Sequence, residues 1–238
     1  MPPDEFLAIS YPSGVKITRQ NILRSLTYAA RKYARGKLVD LGCGGKPYEP
    51  VFRPYTRSSL GVDNPATFSD HTSASPAVDR WADCAATGLP GATFNTVLST
   101  QVLEHLPDPG GLIAEAYRLL VPGGTCITTA PMLWELHAEP VDFFRFTKFG
   151  LIRLFERAGF QLLEVTPLEG AFAALKQMEI LTLHLRPIRA GAIRRGMRWA
   201  VNLIRIPVTN YLALRLDGVR KNSKLCLNYL VVAMKPTS

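Results

Sequence analysis

The 238-residue chain is short of cysteine, and its four, Cys43, Cys84, Cys126 and Cys226, stand far apart. That spacing excludes a disulfide framework and the paired ligands of a structural zinc site. Reduced, mostly buried thiols are expected instead. No stretch approaches the ~18 apolar residues of a membrane span. The opening Met1-Pro2-Pro3-Asp4-Glu5 lacks the basic start and apolar run of a secretory leader, so a cytoplasmic location is expected. Internal repeats and low-complexity tracts are also lacking. What is present is ordinary for a globular protein, with 47% hydrophobic residues, enough for one large core with an embellishment.

Charge is unevenly placed. Residues 1–170 hold 16 Lys+Arg against 17 Asp+Glu, whereas residues 171–238 hold 12 against 2. The net +9 therefore belongs to the last part of the chain and suggests an acidic surface as its partner.

Thr18 can cap a helix to about Ala34, with Ile22, Leu26, Ala29, Ala30 and Tyr33 at helical spacing and Gly36 as its stop. Strands are then expected at Lys37–Leu41, Ser58–Asp63, Val78–Ala82, Thr93–Thr100, Thr125–Ala130 and Gln161–Thr166. Helices are expected from Pro109 to Leu120 and from Thr147 to Ala158, the second ended by Gly159. Pro122-Gly123-Gly124 reads as the turn into the fifth strand. This alternation implies a parallel sheet with helices on both faces, whose ligands bind outside the carboxyl ends of the strands. Asp40, Asp63, Asp83 and Gln101 fall at such ends. Leu225–Met234 reads as the last strand of the same sheet. The boundaries that follow are a helical cap over 1–36, an α/β core over 37–170, a basic helical insertion over 171–224 and the final strand over 225–238.

The segment Val39-Asp40-Leu41-Gly42-Cys43-Gly44-Gly45-Lys46-Pro47-Tyr48 is a strand running into a glycine turn. Glycines there admit positive φ and let a ligand approach the backbone, whose N–H groups suit a polar group. A dinucleotide loop wants a third glycine where Pro47 stands, and Asp40 would repel a pyrophosphate. S-adenosylmethionine has no phosphate, and its ammonium and sulfonium tolerate nearby carboxylates.

Taken together, VDLGCGGKPY, Leu60-Gly61-Val62-Asp63, Trp81-Ala82-Asp83-Cys84 with Leu89-Pro90, Phe94 to Leu106 and Leu119-Leu120-Val121-Pro122-Gly123-Gly124 resemble the ordered motifs of class I S-adenosylmethionine-dependent methyltransferases, over about residues 20–170. The resemblance implies a Rossmann-like, doubly wound α/β fold: a mainly parallel seven-stranded sheet with the last strand antiparallel and a helical insertion before it. It implies S-adenosylmethionine as cofactor, bound by Asp40, Gly42, Gly44, Asp63, Asp83, Cys84 and Gln101. Asp63 would hold the ribose hydroxyls and Asp83 the adenine, with Gln101 near the reacting end.

For the acceptor, the loop Pro131–Thr147 is long, aromatic and charged. Its His-x-x-Pro-x-Asp-Phe-x-Arg-x-Thr pattern resembles bacterial methyltransferases linked with surface-glycan or natural-product modification. His137 is the candidate general base or substrate ligand. His105, at the start of a helix, is a weaker catalytic candidate and reads as structural. Trp134, Asp142 and Arg145 are candidate substrate residues, although Asp142 and Arg145 also suit a pair that holds the loop. His137, Glu139 and Asp142 have no recognised metal spacing, so no metal is expected. Phe143, Phe144, Phe146 and Phe149 read as core or pocket wall.

Strand four ends Ser99-Thr100-Gln101, with neither the Asn/Asp-Pro-Pro-Tyr of base-amino methyltransferases nor a Pro-Cys nucleophile. Nucleic acid is therefore not favoured. The expected activity is O-methylation of a small-molecule or glycan-type acceptor by direct displacement. The alternatives are an inactive S-adenosylmethionine- or nucleoside-binding module and, less favoured, an RNA methyltransferase. Arg194, Arg195, Arg198, Asn202 and Arg205 share one helical face, opposite Ile193, Met197, Ala200, Val201 and Ile204. Over 186–206 this reads either as a lid helix or as a peripheral contact with anionic membrane.

Overall fold

The computed structural model describes residues 16–65, 78–183, 208–209, 211–218 and 224–237. Helix α1 (Lys16–Tyr33) leads into β1 (Lys37–Leu41), the short α2 (Glu49–Phe52), β2 (Ser58–Asp63), β3 (Arg80–Trp81) and β4 (Phe94–Thr100). A 3-10 turn (Leu103–His105), α3 (Pro109–Leu119), β5 (Leu120–Pro131), α4 (Lys148–Arg157), β6 (Gln161–Leu168), α5 (Ala171–Leu183) and β7 (Asn228–Met234) complete the order.

The seven strands form one sheet in the order β3-β2-β1-β4-β5-β7-β6. Strands β1 to β5 pair in parallel, and β7 lies antiparallel between β5 and β6. Alternate residues of the central strands supply two cores. Val39, Val97, Cys126 and Val231 meet Leu112, Ile113, Ala116, Leu151 and Phe155 from α3 and α4. Leu38, Leu98, Ile127 and Leu230 meet Ile22, Leu26, Ala29 and Ala30 on one stripe of α1. The sheet is thus sandwiched between helices, which forces the central strands to be apolar on both sides.

Caps set the helix starts around the mouth. Asp108 accepts from the amide of Gly110 (2.9 Å) to begin α3, with Pro109 in the first turn. Thr147 accepts from Gly150 (3.1 Å) to begin α4.

Four expectations need correction. Thr18 lies inside α1, which is already helical at Lys16, so it does not cap that helix. Strand β3 has only two residues, because only Val62 and Asp63 pair with it. Pro122-Gly123-Gly124 does not precede β5 but lies within it: Leu120 pairs with Phe94 and Thr125 with Thr96, so the intervening residues bulge outward. There Gly123 and Gly124 bond the backbone of Lys235, which prolongs the antiparallel pairing past β7. Phe149 is exposed rather than a wall residue, since α4 turns Leu151 and Phe155 to the core instead.

The excursion after β6 closes on its own start. Asp217, in a helical segment over 211–218, accepts from the amides of Gly170 (3.1 Å), Phe172 (3.0 Å) and Ala173 (2.9 Å). The amphipathic segment 186–206 lies outside the described residues. No helix among those described is long and apolar enough to cross a membrane.

Candidate active site

Strands β1 to β5 all end on one edge, and the order reverses between β1 and β4, which makes a crevice there. Two loops meet over it. A Cβ on Gly42 (φ +78°) would lie 2.3 Å from Val102, just past β4, so only glycine lets the loops touch. The amides of Gly42 (2.9 Å) and Cys43 (3.1 Å) are both taken by the Val62 carbonyl, and Gly44 donates to Asp63 (2.7 Å). The turn therefore offers space more than free N–H groups: a Cβ on Gly44 or Gly45 would meet no atom within 4 Å.

The loop is pinned by a residue that the sequence alone did not single out. Lys46 lays its stem across β2, where a Cβ on Gly61 would come within 2.3 Å of Lys46 Cε and 2.7 Å of Cys43 Sγ. Its ammonium pairs with Asp79, whose carboxylate also accepts from the Gly61 amide (2.7 Å). The glycine of Leu60-Gly61-Val62-Asp63 was the available signal for such a crossing.

Asp40 and Asp63 are both buried here. Asp63 accepts from Gly44 and from Asn64 (2.8 Å). Oδ1 of Asp40 has no hydrogen-bond partner among the described residues. Burial, helped by the Asp63 charge, pushes the Asp40 carboxyl up to about 7, and burial also raises Asp63. Two buried acids, one with an orphan oxygen, beside open space suit a cationic ligand. The ammonium and sulfonium of S-adenosylmethionine fit this need, whereas a pyrophosphate would worsen the repulsion.

Asp83 is exposed at the rim, where it accepts from Ala85 (2.8 Å). The Cys84 thiol is packed into the core, so it is not presented to the mouth. Gln101 leaves β4 with φ +55°, unusual for a residue other than glycine, and is held by Thr129 through its own amide (3.0 Å) and its side chain (3.1 Å). Backbone outliers of this kind concentrate at functional sites.

On the other side of the crevice, Arg145 organises the loop after β5. Its guanidinium grips Asp142 with two bonds (2.6 and 2.8 Å) and donates to the carbonyls of Trp134 (3.1 Å), Glu135 (2.7 Å) and Phe144 (2.8 Å). That bidentate grip holds the Asp142 carboxyl well below the usual range. Asp142 also accepts from the backbone N–H of His137 (2.9 Å) and stands 3.3 Å from its Nδ1. The loop is tied to the turn after β4 by Phe143 (2.8 Å) and Phe144 (3.3 Å), both donating to the Glu104 carbonyl. His105 Nδ1 reaches the Val141 carbonyl (2.6 Å), and its ring meets that of His137 edge to face at 4.8 Å.

The fold thus brings His105, His137, Trp134, Asp142 and Arg145 together. Glu104 joins them: it is fully buried, and burial pushes its carboxyl up to about 8. Glu139, by contrast, is exposed. Leu136, Phe143 and Phe144 leave exposed apolar surface on the same loop.

The model of a methyltransferase domain matches residues 16–165. A Mycolicibacterium smegmatis protein named as a probable S-adenosylmethionine-dependent methyltransferase is 27% identical over 71% of this chain and 67% of its own. A ubiquinone biosynthesis O-methyltransferase of Psychrobacter arcticus is 27% identical over 64% of this chain and 63% of its own. The chain therefore spans about two thirds of the length of these curated relatives. Among solved structures, a SAM-dependent methyltransferase from Archaeoglobus fulgidus superimposes with a TM-score of 0.56 at 19% identity, covering 93% of this chain and 97% of that one. The [4+2]-cyclase SpnF gives 0.57 at 18%, covering 91% and 80%. The fold is shared by both, and fold alone does not fix the reaction.

Proposed function

This chain belongs to the class I S-adenosylmethionine-dependent methyltransferases, and on that premise we propose that it methylates an oxygen of a small-molecule acceptor by direct displacement. The observation that carries the reading is the meeting, at one crevice, of the buried Asp40–Asp63 pair with the His137 loop. S-adenosylmethionine supplies an activated methyl group. Asp40, Asp63 and the Gly44–Gly45 space hold its charged and hydroxyl groups, Asp83 stands at the rim for the adenine, and Gln101 lines the reacting end.

Direct transfer needs alignment and the exclusion of water more than covalent help. Arg145 fixes the acceptor loop, and Asp142 beside His137 Nδ1 holds that imidazole at the acceptor end, as general base or substrate ligand. His105 supports His137 by its edge contact. Oxygen as the atom is supported by the relative named as an O-methyltransferase. Apolar Leu136, Phe143 and Phe144 suit an acceptor with an apolar part. The glycan-linked loop pattern supports a glycosylated acceptor as a subclass.

The test is methyl transfer from labelled S-adenosylmethionine to a panel of hydroxylated acceptors. His137→Ala should lose turnover by about 10²-fold or more while keeping cofactor affinity. Full activity in that variant would exclude the role. Binding of S-adenosylmethionine without transfer to any acceptor would favour a binding module instead.

A further inference from the structure

Three groups at the acceptor end combine in a way that no reading of the loop alone requires. Glu104, His105 and His137 each offer a ligand atom, and those atoms lie within 4.8 Å of one another. The Glu104 side chain is wholly buried, yet among the described residues neither of its oxygens has a hydrogen-bond partner on another residue. A carboxyl in such a place is costly to ionise, and either a proton or a bound cation relieves that cost. Among the described residues no lysine or arginine pairs with it: the nearby Arg145 is committed to Asp142 and the loop carbonyls, and His105 Nε2 stands 3.9 Å from Glu104 Oε1.

Each of the two imidazoles has its Nδ1 engaged by an oxygen. His105 gives its Nδ1 to the Val141 carbonyl at 2.6 Å, which leaves the Nε2 lone pair toward Glu104. His137 Nδ1 stands 3.3 Å from the Asp142 carboxylate and 3.3 Å from the Glu135 carbonyl, which leaves its Nε2. A carbonyl or carboxylate behind each ligating histidine is the arrangement that fixes tautomer and ring angle in metal sites. The exposed Glu139 is not part of it.

We infer that Glu104, His105 and His137 form a binding site for a divalent first-row transition cation at the acceptor end of the crevice. Two imidazoles and one carboxylate suit Zn²⁺, Fe²⁺ or Mn²⁺ better than Mg²⁺, which prefers oxygen ligands. Three protein ligands leave coordination positions open for a substrate. The catalytic use of the cation rests on the O-methylation reading, and there the cation takes the place of His137 in activating the hydroxyl, with His137 acting through it as a ligand. A hydroxyl acceptor at an open position loses its proton to solvent at lower pH than in water. Its oxygen forms the new C–O bond, and the methyl–sulfur bond breaks with its electron pair going to sulfur.

The experiment needs no turnover. The full chain, stripped with a chelator, is titrated with Co²⁺, followed by its visible absorption bands, and then competed with Zn²⁺ and Mg²⁺. Glu104→Gln keeps the shape of the side chain and is the deciding variant. It and His137→Ala should each weaken Co²⁺ binding by more than about 100-fold, beyond the 10–100-fold expected for loss of an outer partner such as Asp142. Glu139→Ala should change nothing. Equal Co²⁺ binding by wild type and Glu104→Gln would overturn the site, and Mg²⁺ displacing Co²⁺ at equal concentration would overturn the class of ion. Failure to find methyl transfer would leave the binding result standing, so the two readings can fail separately.

Discussion

On the donor side of the crevice, around Asp40 and Asp63, the ties start from main-chain N–H groups at strand ends: Gly42 and Cys43 donate to the Val62 carbonyl, and Gly44 and Asn64 to the Asp63 carboxylate, with the Lys46–Asp79 pair beside them. On the acceptor side, around His137, one side chain does most of the holding, since Arg145 joins Asp142, Trp134, Glu135 and Phe144. A site braced by the sheet changes only if the fold changes. A loop braced by one guanidinium can be rewritten without touching the donor site, which is how one fold serves many acceptors.

That contrast breaks most visibly at Arg145. Arg145→Ala strands the Asp142 carboxylate, whose side chain is 1% exposed. A loss of about 3 kcal/mol is expected, at the low end for a buried pair because the guanidinium is partly solvated. Methyl transfer should be lost with S-adenosylmethionine affinity kept, and equal loss of both would show that the two sides are not independent. Arg145→Lys should rescue little, because an ammonium cannot reproduce the planar two-point grip.

Gly61→Ala probes the donor side. Its Cβ would press on Lys46 and Cys43, costing about 2 kcal/mol and weakening cofactor binding. Shortening Lys46 to alanine in the same chain should recover part of the stability if the stem is the obstacle, as chemical denaturation would report.

Asp40 sharpens the comparison through pH. Its folded value near 7 exceeds the unfolded value near 4, so between those limits the native state keeps a proton that the unfolded chain has released. Its contribution is fully present below about pH 4 and is lost as pH rises to about 7, with a slope up to about 1.4 kcal/mol per pH unit. Asp40→Asn should remove that share of the slope, measured as denaturant midpoints across the window. An unchanged slope would assign the effect to other buried acids. The smallest effect belongs to Thr147→Ala, a lost helix cap just beyond the acceptor loop, worth about 1 kcal/mol with no change in cofactor affinity.

The glycine turn and the acids after β1 and β2 were legible because their meaning is local: strand, turn, carboxylate. Lys46 was not, since its partner Asp79 and the surface it crosses at Gly61 come from elsewhere in the chain. Asp142 and Arg145, three residues apart, could be paired from spacing alone. Glu104 could not be recognised, because a glutamate beside a histidine after a strand reads as a solvated helix start. Its burial is a property of the folded chain, in which Phe143 and Phe144 donate to its carbonyl.

By itself the sequence determined the alternation that makes the sheet, the glycines that open the donor site and the acids that prefer a cationic cofactor over a pyrophosphate. Those follow from short-range rules of backbone freedom, periodicity and charge. Only the tertiary structure decided which side chains share the acceptor end, because Glu104, His105 and His137 meet through hydrogen bonds between two loops that are distant along the chain. The burial of Glu104, which makes its carboxyl hard to ionise without a cation, is a property of that packing and of no residue alone.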